Sequence, residues 1–219
     1  MKLTLYYAPF TCALVPLITL NEAAAQFAVE AIALKNGQQR TPEYLRINPK
    51  GKVPALDADG ELLTENPAIL SFLARAFPAA SLLPTEPRDA IRALSLMCWC
   101  AAGLHPPLSR INSPLKFCDL PGSEEGVIRL SAEEQLKNFN IVDALLAGRD
   151  WVFDDWTSVD AYLFWVWRRF GQLSGRLSGQ LRTSIPPFPN YAAHGERMMK
   201  RASVQKALAF EKEVLGRQA

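Results

Sequence analysis

Cys12 is the side chain best placed to do chemistry. It follows an extended-favouring run, Lys2-Leu-Thr-Leu-Tyr-Tyr7, and a turn, Ala8-Pro-Phe-Thr11, and it stands where a helix begins. There the helix dipole and free N–H groups favour an anion. The position is therefore expected to lower a thiol's pKa, so that Cys12 forms a thiolate or donates to a bound one. A small buried thiol is the other reading of the same position. The second chemical stretch is Asn48-Pro-Lys-Gly-Lys-Val-Pro-Ala-Leu56, continued by Asp59-Gly60 and Leu63-Thr-Glu-Asn66. It reads as loop, strand, tight turn, strand and helix start. Pro54 cannot donate to a strand ladder. With a cis Val53-Pro54 bond, the N–H and C=O of Val53 face outward, where an extended peptide can pair with them. Glu65 and Asn66 add polar groups beside the free N–H groups of the next helix. Such a site suits a small peptide carrying both an amine and a carboxylate. The plain alternative is a hairpin followed by a helix whose dipole Glu65 complements.

Other candidates are weaker. Lys35 follows the second strand, where the ordinary reading is a solvated lysine. His105, just before Pro106-Pro107, can titrate near neutrality, and a lone histidine is also a common structural or surface residue. Tyr7 either donates a hydrogen bond from the end of the first strand or fills the core. Cys98 and Cys100 point to different faces of a helix and cannot pair easily; with Cys118 they read as structural.

Composition bounds the answer. The chain has 219 residues, 49% hydrophobic and 21% charged, which is ordinary for a globular protein. Lys and Arg number 24 against 22 Asp and Glu, and no basic block argues for nucleic acid. Two histidines and four cysteines without a C-x-x-C spacing support neither a zinc site nor a dithiol motif, so no metal is expected. The N-terminus reads as a strand rather than a signal peptide, and no apolar run is long enough to span a bilayer. A cytoplasmic protein with reduced thiols is expected.

These residues need elements to hold them. The order reads strand 2–7, helix Cys12–Ala25, strand Phe27–Ala33, a helical turn capped by Thr41 with Pro42, the hairpin, and a helix Pro67–Ala76. A β-α-β unit followed by a hairpin and a closing helix makes a compact four-stranded α/β domain over residues 1–77. Residues 78–87, rich in proline, read as a linker. Residues 88–219 read as all helical. The expected helices run from Arg88 to about Lys116, interrupted near Pro106-Pro107, and from Ser131 to Leu146, with Ser131 and Glu134 as a capping box. A third starts at Thr157 with Asp160 as its reciprocal cap, and two more lie beyond Pro186 and from Ser203. The third is apolar on every face and should lie centrally.

The residues resemble the cytosolic glutathione S-transferases, closest to the bacterial beta class. The resemblance covers nearly the whole chain. It is carried by Asn48–Leu56, by Leu63-Thr-Glu-Asn66 with Ala68-Ile69, by the capping box with Val159-Asp160-Ala161-Tyr162-Leu163, and by Tyr6–Leu14 with Pro16. It implies a thioredoxin-like N-terminal domain, an all-helical C-terminal domain, a homodimer and glutathione as co-substrate. It also implies roles. Pro54 matches the cis-proline and Val53 the residue that pairs with the cysteinyl part of glutathione. Glu65 and Asn66 match the pair at the γ-glutamyl end, Lys35 and Lys52 fall near the glycine end, and Cys12 matches the cysteine beside the glutathione sulfur. His105 matches a histidine lining the site. Phe10, Pro106 and the region of Trp156 or Trp165 are expected to line a pocket for the second substrate. Asn66 departs from the usual serine, though an amide still donates to a carboxylate; Ala13 and Ala8 likewise replace common serines.

The expected function is conjugation of the glutathione thiolate to a hydrophobic electrophile, with Cys12 and His105 as catalytic residues. A second reading makes Cys12 a nucleophile in thiol–disulfide exchange with glutathione. A third is a non-catalytic binding module of the same shape.

Overall fold

The computed structural model describes residues 1–183 and 185–217. They fall into two compact units: Met1–Leu94 together with the stretch from Met199 onward, and Ser95–Met198.

The first unit is built on a four-stranded sheet in the order β2-β1-β3-β4. Strand β1 (Leu3–Tyr7) alternates buried and half-buried residues, as a period of two requires. It pairs parallel with β2 (Ala28–Ala31) and antiparallel with β3 (Ala55–Ala58), which pairs antiparallel with β4 (Glu61–Thr64). The parallel step needs a crossover. Helix α1 (Leu14–Glu22) supplies it, and every residue from Leu14 to Leu20 is buried. Pro16 falls in the first turn, where its missing N–H costs nothing. Asp59 and Gly60, both at positive φ, turn β3 into β4. Thr41 caps the short α2 (Pro42–Ile47) by accepting from the Tyr44 N–H at 3.4 Å. Helix α3 (Asn66–Ala76) packs on α1.

The last helix, α10 (Ala202–Arg217), packs on α1 within this same unit. Arg201 is ion-paired to Glu22, at the end of α1.

The boundary between the units falls inside α4 (Pro87–Trp99). The interruption expected at Pro106-Pro107 lies earlier: Cys100–Leu104 forms a π-helical turn, after which α5 (His105–Asn112) begins. Two adjacent prolines lack the N–H groups that would bond one turn back, and they crowd that turn, so the helix widens before them. Helix α6 runs unbroken over Glu124–Leu145. The capping box expected at Ser131 is therefore wrong: Ser131 is buried inside α6, and Glu134 accepts from Arg110 at 2.9 Å. Burial along α6 overrides the local cap signal.

Helix α7 (Ser158–Leu173) is the centre of the second unit, as its apolar sequence implies. Its capping box between Thr157 and Asp160 is formed. Asp160 is fully buried and also accepts from the Val152 N–H, with His194 Nε2 3.0 Å away. The short α8 (Gly179–Thr183), which sequence reasoning missed, and α9 (Pro189–Lys200) complete the unit. Among the described residues no helix is long and apolar enough to cross a membrane.

Candidate functional site

Cys12 sits in a turn held from several sides. The Thr11 hydroxyl donates to the Ala8 carbonyl at 2.7 Å and accepts from the Ala13 N–H at 3.2 Å. Phe10 adopts φ +63, an uncommon conformation for a bulky side chain. Its N–H donates to Glu211 Oε2 at 3.0 Å, and the Tyr7 hydroxyl donates to the same oxygen at 3.0 Å. Glu211 comes from α10, and only 2% of it is exposed. A buried carboxylate is stable only when hydrogen-bonded, and these donors serve that need. Tyr7 is thus a core residue whose hydroxyl is engaged. Sequence reasoning missed Glu211, and its one signal is an acid on the apolar side of an amphipathic helix.

The thiol of Cys12 behaves opposite to the sequence expectation. Cys12 is 7% exposed, and burial pushes its pKa up to about 12, with Glu65 adding to the rise while its own backbone N–H and Lys52 oppose it. Desolvation outweighs the helix start. Helix α1 begins only at Leu14, so Cys12 precedes it rather than standing in its first turn. Cys12 is therefore a protonated thiol at neutral pH, a donor rather than a thiolate. Its Sγ lies 3.9 Å from the Val53 carbonyl oxygen, to which it donates.

Val53 lies outside the ladder, which begins at Ala55. The Val53-Pro54 bond is cis. Among the described residues no hydrogen bond engages the Val53 N–H, whereas its carbonyl, expected to be unpaired as well, accepts from Cys12. Its approach loop is fixed from within. Buried Asn48 accepts from the Lys50 N–H at 3.1 Å and donates to the Lys52 carbonyl at 2.7 Å. The Tyr44 hydroxyl donates to that same carbonyl at 2.7 Å. Gly51 adopts φ +59, and a Cβ there would lie 3.0 Å from the Gln39 carbonyl oxygen, so glycine is required. Lys52 and Lys35 are exposed, without ion-pair partners among the described residues.

Glu65 precedes α3 with φ +70 and ψ 123, a strained conformation of the kind that collects at binding sites. Its carboxylate meets Lys50 Nζ at 2.6 Å. Asn66 is buried, and its side-chain amide donates to the Cys12 carbonyl at 3.0 Å. Only the amide nitrogen can face a carbonyl, which fixes its orientation. The structure thus brings Cys12, Val53, Pro54 and Asn66 together, with Glu65 beside them.

The remaining candidates lie in the second unit. His105 opens α5 half-buried and meets Trp165 edge-on at 4.7 Å. Pro106 is half-buried, while Trp156 and Trp165 are core residues of this unit rather than open pocket walls. A cavity of about 320 Å³ in this unit is lined by Leu146, Gly148, Arg149, Asn190 and Arg197 and contains none of the expected site residues. Arg197 there is committed to the carbonyls of Arg149 and Asp150. This cavity does not coincide with the group of residues around Cys12. Among the described residues no cluster of side chains could hold a metal ion.

The chain is similar to known proteins in sequence and fold. The family model described as glutathione S-transferase, N-terminal domain, matches residues 1–75. Glutathione S-transferase GstA of Escherichia coli O157:H7 is 32% identical over 211 residues, covering 94% of this chain and 98% of that protein. A glutathione transferase homologue from Sulfitobacter, solved with bound glutathione, has a TM-score of 0.82 at 28% identity, covering 95% of this chain and 97% of that one. A beta-class glutathione S-transferase from Sphingomonas chungbukensis gives 0.80 at 28% identity over 96% of this chain and 98% of that one.

Proposed function

The chain belongs to the glutathione S-transferase family and is a transferase, and we propose that it conjugates glutathione to hydrophobic electrophiles, with the cysteinyl backbone of glutathione paired to Val53 and its sulfur beside Cys12. One juxtaposition carries this reading: the Val53 carbonyl, part of a peptide edge outside the ladder, lies 3.9 Å from Cys12 Sγ. A cysteinyl residue that pairs its backbone with Val53 brings its own sulfur next to that thiol. Cys12, protonated because it is buried, turns its S–H from the Val53 carbonyl to the glutathione sulfur, which releases that carbonyl to the cysteinyl N–H and stabilises the thiolate. Fixed donors in a dry site are worth far more than the same donors in water. Binding the peptide also supplies proximity to the electrophile. The thiolate attacks carbon, the leaving group departs with its electron pair, and the thiol proton passes to solvent.

Glu65 and Asn66 take the γ-glutamyl end, and Lys35 and Lys52 the glycine carboxylate. Phe10 meets the electrophile. For His105 and Pro106 a place in the reaction rests on their match to the family, and His105→Ala is expected to lower kcat about tenfold, a loss near 1.4 kcal/mol. The protein is proposed to work as a cytoplasmic homodimer in detoxification; exposed Ile91 and Leu94 on α4 and Leu130 and Ile141 on α6 supply apolar surface for a second copy.

The test pairs calorimetric binding of glutathione with turnover of a chloro-nitroaromatic. Cys12→Ala is expected to bind glutathione within about threefold of wild type and to lose about tenfold in kcat. A Cys12→Ala enzyme turning over at the wild-type rate removes Cys12 from the mechanism, and absence of glutathione binding by wild type removes the proposal.

A further inference from the structure

The Lys50–Glu65 ion pair is not used by the arrangement above. Lys50 Nζ lies 2.6 Å from Glu65 Oε1 and donates to Thr64 Oγ1 at 2.9 Å. Both side chains remain open to solvent, 51% and 64% exposed. Their backbones are fixed. The Lys50 N–H donates to the side chain of buried Asn48, and Glu65 is locked between the last residue of β4 and the first of α3. An accessible cation and an accessible anion thus stand a hydrogen bond apart at the expected γ-glutamyl end. An exposed pair of this kind contributes little stability and opens readily.

We propose that Lys50 is a specificity-determining residue that binds the α-carboxylate of the γ-glutamyl group, so that the Lys50–Glu65 pair reads the amino-acid head of glutathione as a zwitterion. This rests on the glutathione-binding reading. On arrival, the α-ammonium goes to Glu65 and the α-carboxylate to Lys50. One ion pair opens and two form, so both protein charges are paired before and after binding. Had Glu65 stood alone, it would select the ammonium only; with Lys50 beside it, a ligand lacking either charge leaves one protein charge facing the other charge's empty place. Asn66 cannot replace Lys50 fully, because one of its two amide protons is already given to Cys12.

The opposite possibility is that Lys50 merely covers Glu65 and competes with the ligand's ammonium. The two are separated by calorimetry on wild type, Lys50→Gln and Lys50→Arg, using glutathione, γ-aminobutyryl-cysteinyl-glycine, which lacks the α-carboxylate, and glutaryl-cysteinyl-glycine, which lacks the α-ammonium. The expected result is an approximately tenfold higher Kd for glutathione in Lys50→Gln, near recovery in Lys50→Arg, and no change between wild type and Lys50→Gln for the ligand without the α-carboxylate. An unchanged or lower Kd for glutathione in Lys50→Gln overturns the proposal, as does an equal loss for both ligands that carry the α-ammonium. Failure of wild type to bind glutathione removes the underlying reading as well; binding by wild type with an indifferent Lys50→Gln removes this proposal alone.

Discussion

A thiol held near pKa 12 is almost wholly protonated at neutral pH, and that decides what Cys12 can do. Nucleophilic exchange needs a thiolate, whereas stabilising a neighbouring thiolate needs an S–H. The buried Cys12 favours the second, and the disulfide-exchange reading loses its support. Because the deprotonated form reacts and the pKa is raised, alkylation of Cys12 by iodoacetamide is expected to rise about tenfold per pH unit from neutrality to about pH 10 with no plateau. Peptide mass spectrometry should find exposed Cys98 and half-buried Cys118 labelled before Cys12, and no glutathione adduct on Cys12 after incubation with oxidised glutathione. A plateau near neutrality, or an adduct, contradicts the donor role. Cys12's place was legible from a strand, a turn and a helix start. Its protonation was not, because desolvation comes from segments far along the chain. The same holds for Asn66: its identity was legible, while its bond to the Cys12 carbonyl joins residues 54 apart.

At the scale of elements, caps and turns with local causes were read correctly. Thr41 with Pro42, Asp59-Gly60 and Thr157 with Asp160 each satisfy backbone groups within a few residues. Ser131 failed as a cap because the core of the second unit claims it, and nothing local records that. Glu211 bracing the Phe10 turn was illegible for the same reason, its partners lying 201 and 204 residues away. Distance also changes magnitudes. A cap read from sequence is worth about 1 kcal/mol. Thr157→Ala is expected to cost about that in urea unfolding of the protein. Asp160→Ala should cost about 3–5 kcal/mol, since it strands the N–H groups of Val152 and Thr157 and the ring of His194 in a buried site. Equal losses for the two variants would show that Asp160 acts only as a local cap.

For the whole molecule, buried acids of high pKa set an alkaline limit. Burial raises the thiols of Cys12 and Cys100 and the phenol of Tyr191. A folded-state pKa above the unfolded value means that the folded form holds its proton more tightly. That stability is complete below the unfolded thiol pKa of about 8.5 and is lost as pH rises through the folded value. Each buried thiol then contributes a slope of about −1.4 kcal/mol per pH unit, so the two together give about −3. Unfolding free energy should fall steeply above about pH 9, and less steeply in Cys12→Ala; parallel curves would place the burial of this thiol in doubt. The sheet followed by helices follows from motifs spread along the chain, which is why it could be read before the structure, and the proposed glutathione edge at Val53 rests on the same motifs. The central claim joins that edge to a protonated Cys12. It is tested most directly by titrating the ultraviolet thiolate absorbance of glutathione bound to wild type and to Cys12→Ala. The expected result is a bound-thiol pKa at least about one unit below that of free glutathione in wild type, rising by about one unit when Cys12 is removed. The same pKa in both proteins would contradict the assignment of Cys12 as the donor to the glutathione sulfur.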